Sequence, residues 1–472
     1  MSIKKNFFYS SFLTTANYIF PLLTYPYVSR VLGVANIGVC NFVDSIIHYF
    51  ILFSMMGVGI VGIREVAAHK GDREKLSEVF CGLFFLNTIT TFVALIILVI
   101  AILMVEQLHE HWQLMVVGAL KLVTNYMLIE WLYQGLEQFK FITIRTLIIK
   151  IIYVAIVFIF IKQQSDFVLY YLFTVIMIVL NAITNILYSR TYITFSIDLS
   201  KVQQYLKPFF SLGVRSLLTS MYTTLNVAYL GFVAGEIEVG YYSTASKFFH
   251  IIIALFTAFT GVMLPRMSSL LSEGKVNEFK TYLSKSIEVL FWFSIPIVIL
   301  TIIYAPIIIR IVVGDGYEGA AMPMRIIMPL VVIIGYEQIV IIQGLMPLKR
   351  DKFILRNSIA GAFVGIVLNV VLVSSFQSIG SSIVWVVSEI VVLVSAQYYI
   401  KKCIGNVFPW KKMLKCIAAN LPFAGIIWGI YKSSLSEFAA LSIAVLVLIV
   451  YVSLSSFLIP NTLVKKNFFK HE

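Results

Sequence analysis

Long apolar runs separated by short polar loops dominate this chain of 472 residues. Runs of about 18–27 residues, the length that an α-helix needs to cross a bilayer, recur about fourteen times. They cover 7–30, 38–63, 78–104, 112–134, 141–161, 167–188, 208–233, 239–264, 284–305, 322–345, 355–375, 380–400, 414–431 and 438–459. The pattern predicts an all-α polytopic membrane protein with about fourteen transmembrane helices.

The composition agrees with a chain that is solvated mainly by lipid. Hydrophobic residues make up 60% of the sequence and charged residues 12%, against roughly 25% charged residues in soluble proteins. The net charge of +13 comes without any nucleic-acid-binding motif, so we expect no nucleic-acid partner. The four cysteines have no metal-site spacing and no P-loop is present. We therefore expect no metal, no cofactor and no ATP hydrolysis.

Basic residues alternate between loops and set the predicted orientation. Most of the 36 Lys and Arg residues lie in every second loop, starting with Lys4 and Lys5 and including Lys140 and Arg145. Because cytoplasmic loops carry the excess of Lys and Arg, both termini are predicted to be cytoplasmic. The opposite loops, such as 105–111 and 162–166, are short and leave no room for an outer catalytic domain.

Two halves of the chain are similar at a fixed offset of 202 residues. The matched pairs are Gly38 and Gly240, His48 and His250, Gly59 and Gly261, and Arg64 and Arg266. Six helices return the chain to the same side, so the halves are predicted to be parallel six-helix repeats. The predicted domains are an N-terminal lobe at 1–188, a cytoplasmic linker at 189–207, a C-terminal lobe at 208–400, and an extra helix pair with a cytoplasmic tail at 401–472.

Several spaced motifs resemble the bacterial polysaccharide flippases that export O-antigen and capsule. They are TYPYVSRVLGVANIGVCNFVDS, GIREVAAHKGDREKL, IEWLYQGLEQFKFITIRTLIIK, EVGYYSTASKF and LPRMSSL. The resemblance implies the MATE-like fold of the multidrug/oligosaccharidyl-lipid/polysaccharide exporter superfamily and a place in the bacterial inner membrane. The substrate it implies is an undecaprenyl-diphosphate-linked oligosaccharide, moved from the cytoplasmic to the outer leaflet.

The resemblance also implies membrane lipid as a partner and leaves other membrane proteins of polysaccharide assembly as candidate partners. One position departs from the family pattern. Many relatives carry an acidic residue in the seventh helix before an LG pair, whereas this chain reads LNVAYLG with Asn226. No role of that acid is carried over to this chain.

Ionisable residues inside the apolar runs form the candidate site, because charges at membrane depth are costly and usually face a cavity. The candidates for substrate binding are Arg30, His48, Lys121, Arg215, Lys247 and His250. The candidates for ion coupling or for a polar cavity wall are Asp44, Glu130, Glu337 and Glu389. Arg and Lys suit a diphosphate headgroup, because they replace its hydration with charge-assisted hydrogen bonds.

Other interpretations of these residues stay open. Lys121 and Asp44 have the alternative of a structural ion pair between helices, and Arg30 that of reaching the outer surface. His48 and His250 have the alternative of packing at an interface, and the coupling ion, H⁺ or Na⁺, is undetermined. An ion-coupled multidrug exporter is the main alternative function, although the excess of Lys and Arg disfavours cationic drugs. A membrane polymerase or glycosyltransferase is less favoured, so the chain is predicted not to be an enzyme.

Overall fold

The computed structural model describes residues 3–195 and 202–458, and these ranges are helical with no β-strand. The helices in the first range are α1 (Ile3–Met55), α2 (Val58–Ala68), α3 (Arg73–Met104), α4 (Glu106–Glu110), α5 (Trp112–Asn125), α6 (Glu130–Gly135), α7 (Phe139–Phe160) and α8 (Phe167–Ser189). Those in the second range are α9 (Gln203–Ala234), α10 (Glu236–Ser272), α11 (Val276–Val312), α12 (Ala321–Ile327), α13 (Leu330–Gln338), α14 (Asp351–Ile404), α15 (Trp410–Tyr431) and α16 (Glu437–Leu458).

Shorter helical turns join some of these elements. The 3₁₀ turns are Tyr126–Leu128, Gln164–Asp166 and Glu318–Ala320. A π-helix, Ile339–Leu345, continues α13 directly. A π-helix is rare in proteins and is often found next to functional groups.

Eleven segments of the described ranges are long and apolar enough to cross a membrane. The prediction of an all-α polytopic membrane protein is therefore confirmed. Two of these segments contain a residue with non-helical backbone, Gly33 in α1 and Gln377 in α14. Both residues lie between predicted runs, 7–30 and 38–63 in one case and 355–375 and 380–400 in the other. The count of fourteen helices stays a prediction.

Two predicted runs are interrupted where the sequence gives no strong signal. The run 38–63 is divided at Met56 and the run 112–134 at Ile129, and both residues have φ of 39°. Residues other than glycine avoid this left-handed region, which costs on the order of 1 kcal/mol or more. The second of these breaks makes Glu130 the first residue of a separate short helix, α6.

The chain forms two compact units. The first consists of residues 1–243 and 366–381, and the second of residues 244–365 and 382–472. In the first unit, helices α2, α3 and α6 share an apolar core around Phe80, Trp131 and Leu132. The start of α9 belongs to the same core, because Tyr205 and Phe209 are buried within it.

The second unit is organised around α11, which packs against α12, α13, α15 and α16. Its buried side chains include Phe291, Trp292 and Tyr304, and the phenol ring of Tyr304 lies edge-on to that of Tyr431. The predicted linker 189–207 falls partly on residues 196–201, which are outside the described ranges.

Candidate functional site

Asp44 and Lys121 form an ion pair between two helices of the first unit. The Nζ atom of Lys121 on α5 lies 2.5 Å from Oδ1 of Asp44 on α1. The hydroxyl of Tyr171 on α8 donates to the same oxygen at 3.1 Å. The side chains of Lys121 and Asp44 are 16% and 43% exposed, so the lysine is mostly enclosed and the carboxylate is accessible. The sequence left open whether Lys121 and Asp44 form a structural ion pair between helices, and this ion pair is present.

His48 lies one helical turn after Asp44 on α1 and is half-buried. It is close enough to interact electrostatically with both Asp44 and Lys121. The four-residue spacing on one helix face therefore places an imidazole beside this ion pair.

Arg145 is the buried cation of a second polar cluster in the same unit. Its side chain on α7 is 6% exposed, and its guanidinium lies 3.0 Å from Oε1 of Glu130. It also donates to the side-chain oxygen of Asn185 on α8. The assignment of Arg145 to a cytoplasmic loop is therefore wrong. Its position inside the predicted run 141–161 was the available signal.

A cavity of about 530 Å³ opens beside this arginine within the first unit. Side chains of α7 and α8, together with Gln138, form its wall: Gln138, Lys140, Phe141, Ile144, Arg145, Ile148, Ile149, Thr184 and Tyr188. One part of the wall is cationic and the other is apolar.

Glu337 and Glu389 lie near each other in the second unit, although 51 residues separate them in the sequence. Glu337 is near the end of α13 and Glu389 is inside α14, and the two acids lie close enough to interact electrostatically. The indole Nε1 of Trp385 donates to Oε1 of Glu389 at 3.2 Å. Sequence reasoning named both acids but did not predict that they lie close together.

His250 and Lys247 lie on α10 in the same unit. The imidazole of His250 is exposed, and its ring centroid lies 5.8 Å from that of Trp385. Lys247 is half-buried and three residues earlier, so the two side chains lie on neighbouring positions of one helix face.

The two predicted arginine ligands are in the first unit. Arg30 is exposed and lies on α1 three residues before the break at Gly33. Arg215 lies within α9, but its side chain is outside the part of the structure that is described. Its role as a ligand stays a prediction.

Asn226 takes the position at which the resemblance to polysaccharide flippases led us to expect an acid. The buried amide donates to the hydroxyl of Tyr242 at 3.3 Å and accepts from Nδ2 of Asn369 at 2.8 Å. The position is thus filled by a pair of neutral amides within the first unit.

Gly38 and Gly240, which the 202-residue offset relates, meet where α1 crosses α10 in the first unit. A Cβ atom on Gly38 would lie 1.8 Å from the carbonyl oxygen of Glu236, and one on Gly240 would lie 2.5 Å from that of Val34. Val34 and Glu236 are themselves 202 residues apart, so the contact is reciprocal, as it is about a two-fold axis.

Polar contacts fasten the same end of the first unit. The imidazole of His111 lies 2.9 Å from Oε1 of Glu236, and Gln107 donates to the carbonyl of Phe232 at 3.2 Å. The backbone N–H of Ser378 donates to Glu238 at 3.1 Å. These residues lie in or next to loops that the charge pattern predicts to be outer loops.

Comparison with known proteins identifies the family to which this chain belongs. A family model described as "Polysaccharide biosynthesis protein" matches residues 3–271, more than half of the chain. The chain belongs to the polysaccharide biosynthesis protein family. A second model, described as MatE, matches residues 212–371. The resemblance to polysaccharide flippases of the exporter superfamily is confirmed.

Related sequences and solved structures align with this chain over most of its length. The "Putative O-antigen transporter" of Escherichia coli strain K12 is 25% identical over 398 residues, covering 83% of this chain and 95% of that protein. The solved structure of "Lipid II flippase MurJ, inward closed conformation" has a TM-score of 0.79 with 14% identity, covering 96% of this chain and 99% of that one. An inward-facing MATE transporter has a TM-score of 0.61 with 13% identity, covering 85% and 96%. The MATE-like fold predicted for this family member is therefore confirmed.

Proposed function

We propose that this chain is a flippase that moves an undecaprenyl-diphosphate-linked oligosaccharide from the cytoplasmic to the outer leaflet during surface polysaccharide biosynthesis. The observation that carries the proposal is membership of the polysaccharide biosynthesis family over residues 3–271. A relative named as an O-antigen transporter, aligned over 95% of its own length, supports it. The proposal includes alternating access, an inner-membrane location and cytoplasmic termini.

A diphosphate headgroup needs cations at membrane depth, because the anion cannot enter hydrocarbon without replacing its hydration. Arg30, Arg215 and Lys247 are the proposed headgroup ligands, since guanidinium and ammonium groups form short charge-assisted hydrogen bonds to phosphate oxygens. His48 and His250 occupy related repeat positions and are proposed as further hydrogen-bond donors to the headgroup or its first sugar.

The pair of Lys121 and Asp44 suits a ligand that is bound and later released. Lys121 already has a carboxylate partner at 2.5 Å. A phosphate group that displaced this carboxylate would exchange one anionic partner of the lysine for another, so binding would leave no cation unpaired at either stage. In the proposal Asp44 therefore keeps Lys121 compensated while the substrate is absent.

Ion-coupled drug export is the second candidate, and the MatE match over residues 212–371 favours it. Drug exporters of this kind are expected to attract cations with accessible acids. Two of the candidate acids, both in the first unit, are paired with cations, Asp44 with Lys121 and Glu130 with Arg145. This arrangement supports an anionic substrate rather than a cationic one.

The test uses cells whose surface polysaccharide depends on this chain. We expect Arg215→Ala and Lys247→Ala each to lower surface polysaccharide several-fold, with lipid-linked oligosaccharide accumulating on the cytoplasmic leaflet and the protein still present in the membrane. Lys352→Ala, which removes an exposed lysine from the start of α14, is the matched control and should export normally. Normal polysaccharide in both test variants would refute the binding roles.

A cell lacking the chain distinguishes the two candidate functions. Accumulation of a lipid-linked glycan without increased drug sensitivity supports the flippase. Increased sensitivity to cationic drugs with normal surface glycan would support the exporter instead.

A further inference from the structure

A groove runs along the contact between α7 and α8 in the first unit. Its wide end is the cavity of about 530 Å³ beside Arg145, and its narrow end is an apolar cleft of about 20 Å³. Ile149 on α7 lines both spaces, so one surface joins them. The groove therefore has a polar end and an apolar end.

The length of the groove matches one leaflet of a bilayer. Its wall extends from Phe141 to Ile156 on α7 and from Tyr188 back to Phe173 on α8, fifteen residues along each helix. At 1.5 Å per residue this is about 22 Å. A bilayer with its headgroups is about 40–45 Å thick, so half of it is about 20–22 Å. A single lipid molecule lying along the groove thus reaches from the headgroup layer to the middle of the membrane.

Lys140 supplies the cationic charge at the wide end. It is exposed at the start of α7, and the ion pairs found in the described ranges do not include it. The acid nearest to it in sequence, Glu137, is paired with Lys70 at 3.1 Å, and Arg145 is itself paired with Glu130. The ammonium group of Lys140 is therefore the charge that an anion entering the cavity would meet.

The rim of the groove is apolar and open to lipid. Ile144, Ile148 and Ile152 follow one another at four-residue spacing on α7 and are 43%, 53% and 43% exposed. They lie in the candidate membrane span Phe139–Phe160, where hydrocarbon replaces water as the solvent. An acyl chain can therefore enter the groove sideways from the bilayer.

We propose that this groove is a binding site for an anionic phospholipid. The phosphate of the lipid lies beside Lys140 in the wide cavity, and one acyl chain follows the cleft toward Ile156. The charge pattern predicts that the Lys140 end faces the cytoplasm. Anionic lipids of the cytoplasmic leaflet bind to basic pockets between transmembrane helices, so the charge of the cavity suits this occupant.

The proposed occupant is a resident lipid rather than the transported one. Arg30 and Lys247, which are proposed as headgroup ligands of the transported lipid, are not among the described residues that line the groove. The inference is independent of the flippase proposal, because it concerns a lipid that stays in its own leaflet.

Photo-crosslinking in vesicles locates the lipid. The purified protein is placed in phosphatidylcholine vesicles with a trace of phosphatidylglycerol that carries a photoactivatable group near the end of one acyl chain. We expect crosslinks near Ile156 on α7 and Phe173 on α8. Added unlabelled phosphatidylglycerol should suppress them, whereas the same amount of added phosphatidylcholine should not. Crosslinks spread evenly over the lipid-facing helices, or suppressed equally by both lipids, would overturn the proposal.

A variant that fills the wide end tests the cavity. Thr184 lines the cavity, so the indole of Thr184→Trp would occupy the space of the headgroup. Ile183→Trp is the matched control, because Ile183 is the neighbouring residue, is 47% exposed and does not line the cavity. We expect crosslinking to fall several-fold in Thr184→Trp alone, with circular dichroism showing that both variants are folded. Equal crosslinking in the two folded variants would overturn the proposal.

Removal of one charge tests the headgroup contact, and it keeps the proposal testable if Thr184→Trp does not fold. The affinity is taken from the concentration of unlabelled phosphatidylglycerol that halves the crosslinking. Lys140→Ala should weaken this affinity about fivefold, which is equivalent to about 1 kcal/mol. Lys162→Ala, which removes an exposed lysine after the opposite end of α7, should bind as the wild type does. Unchanged affinity in Lys140→Ala would overturn the headgroup contact.

Competition with a second lipid identifies the source of the phosphate. Undecaprenyl diphosphate also carries phosphate on a hydrocarbon chain, and we expect it to displace the photoactivatable lipid less effectively than phosphatidylglycerol does. Displacement by undecaprenyl diphosphate at a lower concentration than phosphatidylglycerol would assign the groove to the transported lipid and would overturn the proposal.

Discussion

Replacing Gly38 by alanine tests the close contact between α1 and α10. The new methyl carbon would lie 1.8 Å from the carbonyl oxygen of Glu236, whereas carbon and oxygen atoms that touch are normally about 3.3 Å apart. The obstacle is backbone rather than a flexible side chain, so the two helices must move apart. The equivalent residue Gly240 approaches Val34 in the same way.

The expected cost follows from this overlap. Overfilling a packed interior typically destabilises a protein by about 1–3 kcal/mol. Exchange of glycine for alanine inside a helix also has a favourable contribution of about 1 kcal/mol. Gly261 is a matched control, because it lies inside α10 and a Cβ atom there would have no neighbour within 4 Å. The favourable contribution is common to both variants, so their difference isolates the overlap.

We expect the unfolding free energy of Gly38→Ala in detergent micelles to lie about 1–3 kcal/mol below that of Gly261→Ala. Cys40, which is 4% exposed and close to the contact, should also react faster with thiol reagents when it is the only cysteine left. If Gly38→Ala is as stable as Gly261→Ala and Cys40 stays protected, the described contact between α1 and α10 is wrong.

Three further variants test other polar contacts. Asp44→Asn and Lys121→Met should together lower the unfolding free energy by less than the sum of their separate effects, with a coupling free energy of about 0.5–3 kcal/mol in a double-mutant cycle. Additive effects would contradict the ion pair. Arg145→Ala should cost roughly 1–3 kcal/mol in unfolding free energy, because it leaves the buried side-chain oxygen of Asn185 without its donor; a cost well below 1 kcal/mol would contradict the buried cluster. Asp72 caps α3, and its hydrogen bond from the Lys75 backbone N–H lowers the pKa of the carboxyl below its ordinary value. That stabilisation is present above the ordinary pKa and is lost as pH falls through the lowered pKa, so the protection factor of the Lys75 amide against hydrogen exchange should fall only in acid, below about pH 4, whereas Asp72→Ala should lower it at neutral pH.

The transmembrane segments were predictable from the sequence because hydropathy and length decide whether a helix crosses a bilayer. The predicted runs 414–431 and 438–459 correspond to α15 (Trp410–Tyr431) and α16 (Glu437–Leu458) within a few residues. The breaks at Met56 and Ile129 were not predictable. Neither residue type favours positive φ, so tertiary packing rather than local preference holds the backbone there.

The candidate site was predictable by residue type but not by pairing. A charge in an apolar run is visible in the sequence, which is how Glu337 and Glu389 were selected. Their proximity depends on the relative placement of α13 and α14, which one sequence does not specify. The 202-residue offset related Gly38 to Gly240, but only the structure shows that the two equivalent positions touch.

Arg145 shows a limit of counting charges. The positive-inside rule treats a cation near the end of a run as part of a loop, since such side chains usually reach the surface. Here Asn185 and Glu130 accept hydrogen bonds from the two terminal nitrogens of the guanidinium inside the bundle instead, while its Nε is buried without a partner among the described residues. The sequence hints of this cluster were three polar residues inside predicted runs, Glu130, Arg145 and Asn185.

The central claim is that this chain carries a lipid-linked oligosaccharide across a bilayer. The most direct measurement uses vesicles that contain the purified protein and a fluorescent undecaprenyl-diphosphate-linked oligosaccharide in both leaflets, with a membrane-impermeant reagent that destroys the label outside. We predict that the reagent eventually destroys nearly all of the label with wild-type protein, and only the outer half with Lys247→Ala or in protein-free vesicles. Destruction of only half of the label by wild-type protein, under conditions in which the protein is folded and a proton gradient is present, would contradict the account.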